Sequence, residues 1–368
     1  MKTKPKNARA LFRAILPAVA ALCFLGCVMS GEGAESRAAN NSVAIMTWNL
    51  QLLFDDIEEG TEFGEFTESS GWNREKYAAR LNVIAKAIGE LERAPDIIAV
   101  QEVESARVVA DLADSLSAHR YGWTHFARLP GMSLGVGLLS RYPLEQAISH
   151  SIDIDGDIAP RPILEAKVNL PESPLLLFAC HWKSKLGGED KTESTRQASA
   201  RVIIRRMREL AETDPQIPVI VLGDLNATHD EFERNGGTMM RALMPDNPAA
   251  AEFARAWGNE PQLDFLVISH DKPPEAKHFP DGTFAFYSPW TVEKEDGSYF
   301  FRNSWETIDH FLLSSQLFDG IGWQFHDSQV VKVPPFATYA GLPNAYNPRT
   351  GRGVSDHLPL MLLLRKSE

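Results

Sequence analysis

"VIVLGDLNAT", Val219 to Thr228, is a strand-length apolar run that passes directly into Gly223-Asp224-Leu225-Asn226. Strand side chains alternate between two faces, so Ile220, Leu222 and Asp224 share one. An apolar face that ends in a carboxylate delivers it to the rim of the core which that face covers. Eight further runs have strand length and are bounded by Gly, Pro or polar residues: "SVAIMTWNL" (42–50), "PDIIAVQEV" (95–103), "LGVGLLS" (134–140), "ILEAKVNL" (163–170), "PLLLFACHW" (174–182), "LDFLVIS" (263–269), "TIDHFLLS" (307–314) and "LPLMLLL" (358–364).

The same ending recurs along these runs. Asn49 follows "VAIMTW", Glu102 follows "IIAVQ" and His181 follows "LLLFAC". Asp309 and His310 lie inside "TIDHFLL", while Asp356 and His357 precede "LPLMLLL". Ile98, Val100 and Glu102 share a parity, as do Leu177, Ala179 and His181. One Asp or Asn at a strand end is an ordinary turn residue. Six polar endings on apolar faces that look inward would gather at one rim. Two carboxylates ~4 Å apart repel by about 4 kcal/mol at an effective dielectric of ~20. Such a group of acids must protonate or hold a cation. Oxygen ligands without cysteine suit a hard ion, Mg²⁺ or Mn²⁺.

Helical patterns interleave with the strands. In "NREKYAARLNVIAKAIGELERA" (73–94), Tyr77, Leu81, Ile84, Ile88 and Leu91 fall on one face. "STRQASARVIIRRMREL" (194–210) opens with Ser194 and Gln197 three apart, the pattern of a capping box. Helices early and strands late predict an α/β fold: a four-layered sandwich of two packed, mainly antiparallel sheets flanked by helices. "MPDNPAAAEFARAWGNEP" (244–261) reads as a surface excursion, and the aromatic stretch 278–305 as a hairpin around Asp296-Gly297.

The first residues stand apart from this pattern. Lys2, Lys4, Lys6, Arg9 and Arg13 precede the apolar run "AILPAVAALCFLGC", Ala14 to Cys27, the shape of an export signal. "FLGC" resembles a bacterial lipobox, with Cys27 as a possible site of lipid attachment and hence of a membrane tether. The expected organisation is a signal over 1–27, a polar tether over 28–42 and one domain over 43–366, exported to be secreted or held at the cell envelope. Removing the five basic residues lowers the formal net charge from −12 to −17, which excludes a general basic footprint for nucleic acid. A polyanion must be met by a local patch or a metal. Cys180 is the one cysteine outside the signal, so no intramolecular disulfide forms, and its alternation with Leu176 and Phe178 marks it as buried.

These endings, in this order, resemble the endonuclease/exonuclease/phosphatase superfamily, with its deoxyribonuclease I-like fold. "TWNLQ", "VQEVE", "CHWKSK", "GDLNAT", "TIDHFLLS" and "SDHLPL" are similar to its six motifs over about Val43 to Leu364. The long segment between Thr228 and Asp309 departs from the pattern. The resemblance implies a divalent-metal-dependent phosphoesterase with Mg²⁺ or Mn²⁺ as cofactor. Glu102, Asn49 and Asp356 are the expected metal-site residues. Asp224, oriented by Asn226, would activate the attacking water. His357, bonded to Asp309, and His181 would act on the phosphate. Arg161 and Lys183 would contact substrate phosphates. The expected substrate is nucleic acid, DNA or RNA; no obligate protein partner is evident. Rival readings are a lipid phosphodiesterase of the sphingomyelinase kind, a phosphomonoesterase on sugar or inositol phosphates, and a non-catalytic binding module. Exposed aromatic hairpin tips would favour the lipid, a basic groove the nucleic acid. "GMSLG" (131–135) matches a nucleophile-elbow pattern but runs into a strand rather than the required helix. "DIDGD" (153–157) lacks the closing Glu of a calcium loop.

Overall fold

The computed structural model describes residues 41–154, 156–257, 265–290 and 297–367. The expected export signal, Cys27 and the tether up to residue 40 lie outside the described residues. Residues 40–368 cluster as one compact unit. No described helix is long and apolar enough to cross a membrane.

The nine apolar runs all form strands. The chain order is β1 (Ser42–Leu53), α1 (Arg74–Gly89), β2 (Ile97–Val103), α2 (Ala106–Ser115), β3 (Trp123–Ala127), β4 (Gly135–Ser140), β5 (Leu144–His150), β6 (Asp153–Ile154), β7 (Asp157–Ile158), β8 (Ile163–Val168), β9 (Leu175–His181), α3 (Glu189–Thr213) and β10 (Val219–Asp224). It continues through α4 (Glu231–Arg234), β11 (Leu243–Pro245), α5 (Pro248–Trp257), β12 (Leu266–Ser269), β13 (Ala285–Tyr287), β14 (Tyr299–Phe301), β15 (Ser304–Glu306), β16 (Asp309–Leu313), β17 (Trp323–Val330) and β18 (Leu360–Lys366). One sheet runs β17-β18-β1-β2-β4-β3 and the other β11-β12-β13-β16-β10-β9-β8-β5. Most pairings are antiparallel, but β1 with β2, β9 with β10, β11 with β12 and β12 with β13 are parallel.

Three apolar layers follow from strand alternation. Val43, Ile45, Leu177, Ala179, Ile220, Leu222 and Phe311 fill the space between the sheets. Trp48, Ile98 and Val100 face α1 and α2. Phe178, Cys180, Val221 and Leu312 face α3. The result is the expected α/β/β/α sandwich. Cys180 is fully buried and free, and burial pushes its thiol far above the ordinary range.

Local sequence signals set the helix starts. Asn73 accepts the Lys76 N–H at 3.1 Å and begins α1; Ser105 accepts the Val108 N–H at 3.2 Å and begins α2. The expected capping box at Ser194 is corrected. Helix α3 begins at Glu189, after Gly188 at φ +116°, with Glu189 and Asp190 in its first turn, where acids complement the helix dipole. Ser194 therefore lies inside the helix and exposed, and Gln197 donates to the Met240 carbonyl at 2.8 Å.

Two other local readings change. The segment read as a surface excursion contains α5, whose Ala250 and Ala251 are buried with Phe232, Met244 and Val267; residues 258–261 lie outside the described residues. The described aromatic hairpin, β14–β15, turns at Arg302-Asn303; Asp296, where the sequence places a turn, lies outside the described residues. Both turn residues have positive φ, +47° and +66°, as a two-residue type I′ turn demands. Gly297 instead sits against the Glu306 carbonyl, where a Cβ would meet oxygen at 2.2 Å.

Candidate active site

Strand register assembles the site. On β9, β10 and β16, His181 lies opposite Asp224 and Asp224 opposite Asp309. Adjacent strands are about 4.8 Å apart, so three polar side chains stand in a row across one sheet. Each continues a line of residues facing the inter-sheet core. Gly223 makes this possible: at φ +131° it lies so close to β9 that a Cβ would meet the Cys180 carbonyl oxygen at 2.0 Å. Only glycine fits between the two strands there.

The other sheet supplies Asn49 and Glu102, from the parallel pair β1 and β2. Asn49 arrives by simple alternation on the face of Val43 and Ile45. Glu102 does not. Ile98 and Val100 face the outer core under the helices, so the parity argument would carry Glu102 outward. A register shift between Gln101 and Val103 and a φ of +62° at Glu102 turn the carboxylate inward instead. Left-handed backbone costs a non-glycine residue roughly 1–2 kcal/mol. Gln51 (+50°), Leu52 (+66°) and Asn226 (+49°) carry the same conformation beside it, so the strain is concentrated at this rim, as it is at many functional sites.

The side chains interlock. Asn49 Nδ2 donates to Asp224 Oδ2 at 3.1 Å, and its Oδ1 accepts the Gln51 N–H at 3.0 Å. His181 Nε2 is 3.5 Å from Asp224 Oδ2 and 3.8 Å from Glu102 Oε1. Glu102 Oε2 accepts the Leu52 N–H at 3.1 Å. His357 Nδ1 is bonded to Asp309 Oδ2 at 2.8 Å. Asn226 orients Asp224 through its backbone N–H, 2.9 Å from Oδ1; its side-chain amide donates to the Trp182 carbonyl at 3.2 Å. Arg161 Nη1 donates to that carbonyl too, at 2.6 Å. Lys183, within Coulombic range of Arg161, turns its ammonium toward the Ser184 and Leu186 carbonyls. Lys185, two residues on, is paired with Glu231 at 3.1 Å.

Burial and charge set the protonation states. Asp224 rises to about 7 through burial and then the charge of Asp309. Burial raises Glu102 and Asp356 as well. His181 is held neutral by burial and by the nearby charges of Arg161 and His357. Burial opposes protonation of His357, but Asp309 and then Asp224 and Asp356 outweigh it and lift the imidazole to about 10.

The charge count tests the expected cation. Glu102, Asp224, Asp309 and Asp356 face one another with Arg161, His357 and, at Asp356, Arg80 as the cations that act on them. Ionised, the acids outnumber these cations, so negative charge is left unmatched. Asp309 Oδ1 is buried with no hydrogen-bond partner among the described residues. Oxygen atoms of Asp224 and Asp309 and a ring nitrogen of His357 lie within 4.8 Å of one another. A protonated imidazole bonded to Asp309 is a poor ligand, so the carboxylates are the donors on offer. The residues present fit a hard divalent cation.

Several supporting residues escaped the sequence reading. Ser298 Oγ donates to Asp309 Oδ2 at 2.6 Å, and Trp290 Nε1 donates to the Asp309 carbonyl at 2.8 Å. Ser355 Oγ accepts the His357 N–H at 3.0 Å and donates to the Asn49 carbonyl at 2.7 Å. Tyr299 stacks on the His357 ring at 4.6 Å. Arg80 is fully buried over the Tyr346 ring and donates to the Leu50 carbonyl. Ser355 stood inside a quoted motif; the others carry no local signal, because their partners are distant in sequence.

Comparison with known proteins supplies independent findings. A model of the Endonuclease/Exonuclease/phosphatase family matches residues 44–251. Truncated TDP2 from Caenorhabditis elegans superposes with a TM-score of 0.51 at 15% identity, covering 88% of this chain and 98% of that one. D. rerio TDP2 complexed with a single-strand DNA product gives 0.50 at 14% identity, covering 88% and 99%. At such identities the likeness shows the fold. A search of curated proteins finds no match.

Proposed function

The chain belongs to the endonuclease/exonuclease/phosphatase family, a metal-dependent phosphoesterase fold, and from that premise we propose that it hydrolyses phosphodiesters of nucleic acid. The observation that carries the reading is the convergence of Asn49, Glu102, His181 and Asp224, from four strands of two sheets, within 3.1–3.8 Å contacts. The D. rerio neighbour holds a single-strand DNA product, which supports nucleic acid as the substrate class. The amino-terminal basic and apolar pattern supports export.

In this reading a water attacks phosphorus in line with the leaving oxygen. Asp224 takes the proton from that water at Oδ2, where Asn49 holds the carboxylate. The phosphorus–leaving-oxygen bond then breaks. His181 donates a hydrogen bond to a phosphoryl oxygen. His357, kept cationic by Asp309, stabilises the charge that builds on the phosphoryl group, and Arg161 adds a second positive charge beside it. Glu102 and Asp356 would hold the divalent ion; Asn49, expected among the metal-site residues, has both amide atoms engaged and positions Asp224. When bound, the ion supplies Lewis acidity to a phosphate oxygen. A positioned acid or base commonly contributes ~10²–10⁴-fold.

A second reading has one observation in its favour. Phe301 is 46% exposed on the hairpin and Leu186 is 84% exposed in the loop after His181, which a lipid phosphodiesterase would use at a membrane surface. The deciding assay offers plasmid DNA, RNA, sphingomyelin and inositol phosphates in parallel, with Mg²⁺ and with EDTA. Mg²⁺-dependent nucleic-acid cleavage is expected. Intact nucleic acid beside cleaved sphingomyelin would transfer the same site to the second reading.

A further inference from the structure

The β14–β15 hairpin forms a two-stranded sheet of its own beside the site. It is tied to the site by a bridge between Tyr299 and His357 and by the Leu358 N–H bonded to the Ser298 carbonyl at 2.7 Å. Its two faces differ. On one, Phe300 meets Trp305 edge-on at 5.1 Å, and Trp305 packs against the core that α1 and α2 cover. That face is an anchor. On the other, the His357 imidazole, the Tyr299 ring and the Phe301 ring follow one another, with centroids 4.6 Å and 6.0 Å apart and interplanar angles of 29° and 16°. Three flat rings thus run from the protonated histidine out to solvent, and the Arg302 guanidinium lies 5.1 Å from the last of them.

We propose that Phe301, backed by Tyr299 and capped by Arg302, is a stacking subsite for the base of a nucleotide flanking the scissile phosphate in a single-stranded nucleic acid. The proposal rests on the nucleic-acid reading above. Packing alone does not account for the ladder: Phe301 is 46% exposed, and the hairpin already has its anchor on the opposite face. The shape argues for a base over a lipid tail. The tip is Arg302-Asn303, exposed and polar, which is no wedge for a bilayer, and the rings are nearly coplanar in orientation, as a stacked base requires. A base presents a π-face to the ring, and the guanidinium adds a cation–π contact. Because every base has a π-face, the subsite would bind bases with little sequence preference.

The test scans a single-stranded oligonucleotide with one abasic nucleotide placed at each of the two positions on either side of the cleaved bond. The purified wild-type protein and the Phe301→Ala and Phe301→Trp variants are assayed with Mg²⁺. In the wild type, one abasic position is expected to raise KM about tenfold, the size of one base–aromatic stack, with kcat changed far less. Phe301→Ala is expected to reduce that penalty to within twofold, and Phe301→Trp to keep it. Phe301 is half-exposed at a hairpin end, so a thermal melt of Phe301→Ala within a few degrees of wild type confirms an intact fold. Cleaved oligonucleotides with no abasic penalty, or with the same penalty in Phe301→Ala, overturn the subsite and leave the nucleic-acid reading standing. Uncleaved oligonucleotides with hydrolysed sphingomyelin or inositol phosphates overturn both.

Discussion

Glu193 and Arg196 on α3 are buried as deeply as Asp224 and Asp309 at the site, yet the charges around the two pairs are arranged differently. Glu193 accepts from Arg196 Nε at 2.9 Å and from the Ala242 N–H at 2.6 Å. Arg196 also reaches Thr192 Oγ1, the Lys183 carbonyl and the Glu189 carbonyl. Arg241 sits 3.5 Å from Glu231, which holds Lys185. Each acid there has a cation within reach. At the site four acids share three cations, Arg161, His357 and Arg80, while unpartnered buried atoms occur in both regions, Asp309 Oδ1 in one and Glu231 Oε1 in the other. A buried charge without a partner is expensive. The network on α3 therefore holds the chain together, including the loop that carries Lys183. The site is left short of positive charge, which a cation and a phosphate chemistry can use.

The largest effect should separate activity from folding. Glu102→Ala and His357→Ala are each expected to lower kcat/KM by 10³-fold or more, within the range of a lost acid, base or metal contact, with Glu102→Ala shifting Tm by only a few degrees. Mg²⁺ should raise the wild-type Tm, by the equivalent of about 2.7 kcal/mol at a concentration of 100 Kd, and that rise should vanish in Glu102→Ala. Near-normal turnover in either variant would dissolve the site. The reverse pattern is expected on α3. Glu193→Ala strands the Arg196 guanidinium and should cost about 3–5 kcal/mol in denaturant unfolding, while Mg²⁺ still stabilises the variant. A loss below about 1 kcal/mol would mean that the two clusters do not differ as described.

The comparison also explains what was legible in the chain. The strands, the sandwich and the set of strand-end polar residues could be read because alternation is local and the apolar runs are short. Asp224 and His181 follow from parity alone. Glu102 reaches the same place for another reason, a bulge and a left-handed φ, which no period-two pattern encodes. The start of α3 was missed because the acids of its first turn, not Ser194, mark the terminus. Arg302-Asn303 takes the type I′ conformation without glycine, so the turn of the β14–β15 hairpin carries no ordinary turn signal. Ser298 and Arg80 act on partners 11 and 30 residues away. Their contacts exist only once the sheets are packed.

Metal-free protein should reveal the charge imbalance through pH. Asp224 titrates at about 7 in the fold against an ordinary 3.8. The folded state therefore binds a proton that the unfolded state has lost, and stability falls as pH rises between those values. His357, lifted from 6.5 to about 10, contributes stability fully below 6.5 and loses it as pH climbs toward 10. Both slopes have the same sign. In EDTA the Tm should fall from pH 7 to pH 9, above the range in which His181 and His310, held neutral by burial, act in the opposite sense, and Mg²⁺ should restore most at the alkaline end, where the acids are ionised. Asp224→Asn should flatten the lower part of the curve. A Tm that climbs with pH across this range would contradict the protonation states assigned to the site.

The smallest effect concerns a link between the start of the hairpin and the acid behind His357. Ser298 Oγ is one of two donors to Asp309 Oδ2, the other being the imidazole itself. Ser298→Ala removes a hydrogen bond to a charged group and leaves Asp309 held by His357 alone. A loss of about tenfold in kcat is expected, with KM changed by less than twofold, because the group displaced acts on the reacting phosphoryl group rather than on the bound chain. Ser298→Thr, which keeps the hydroxyl, should recover most of the rate. If alanine and threonine behave alike, Ser298 only fills space, and Asp309 is positioned by its own strand.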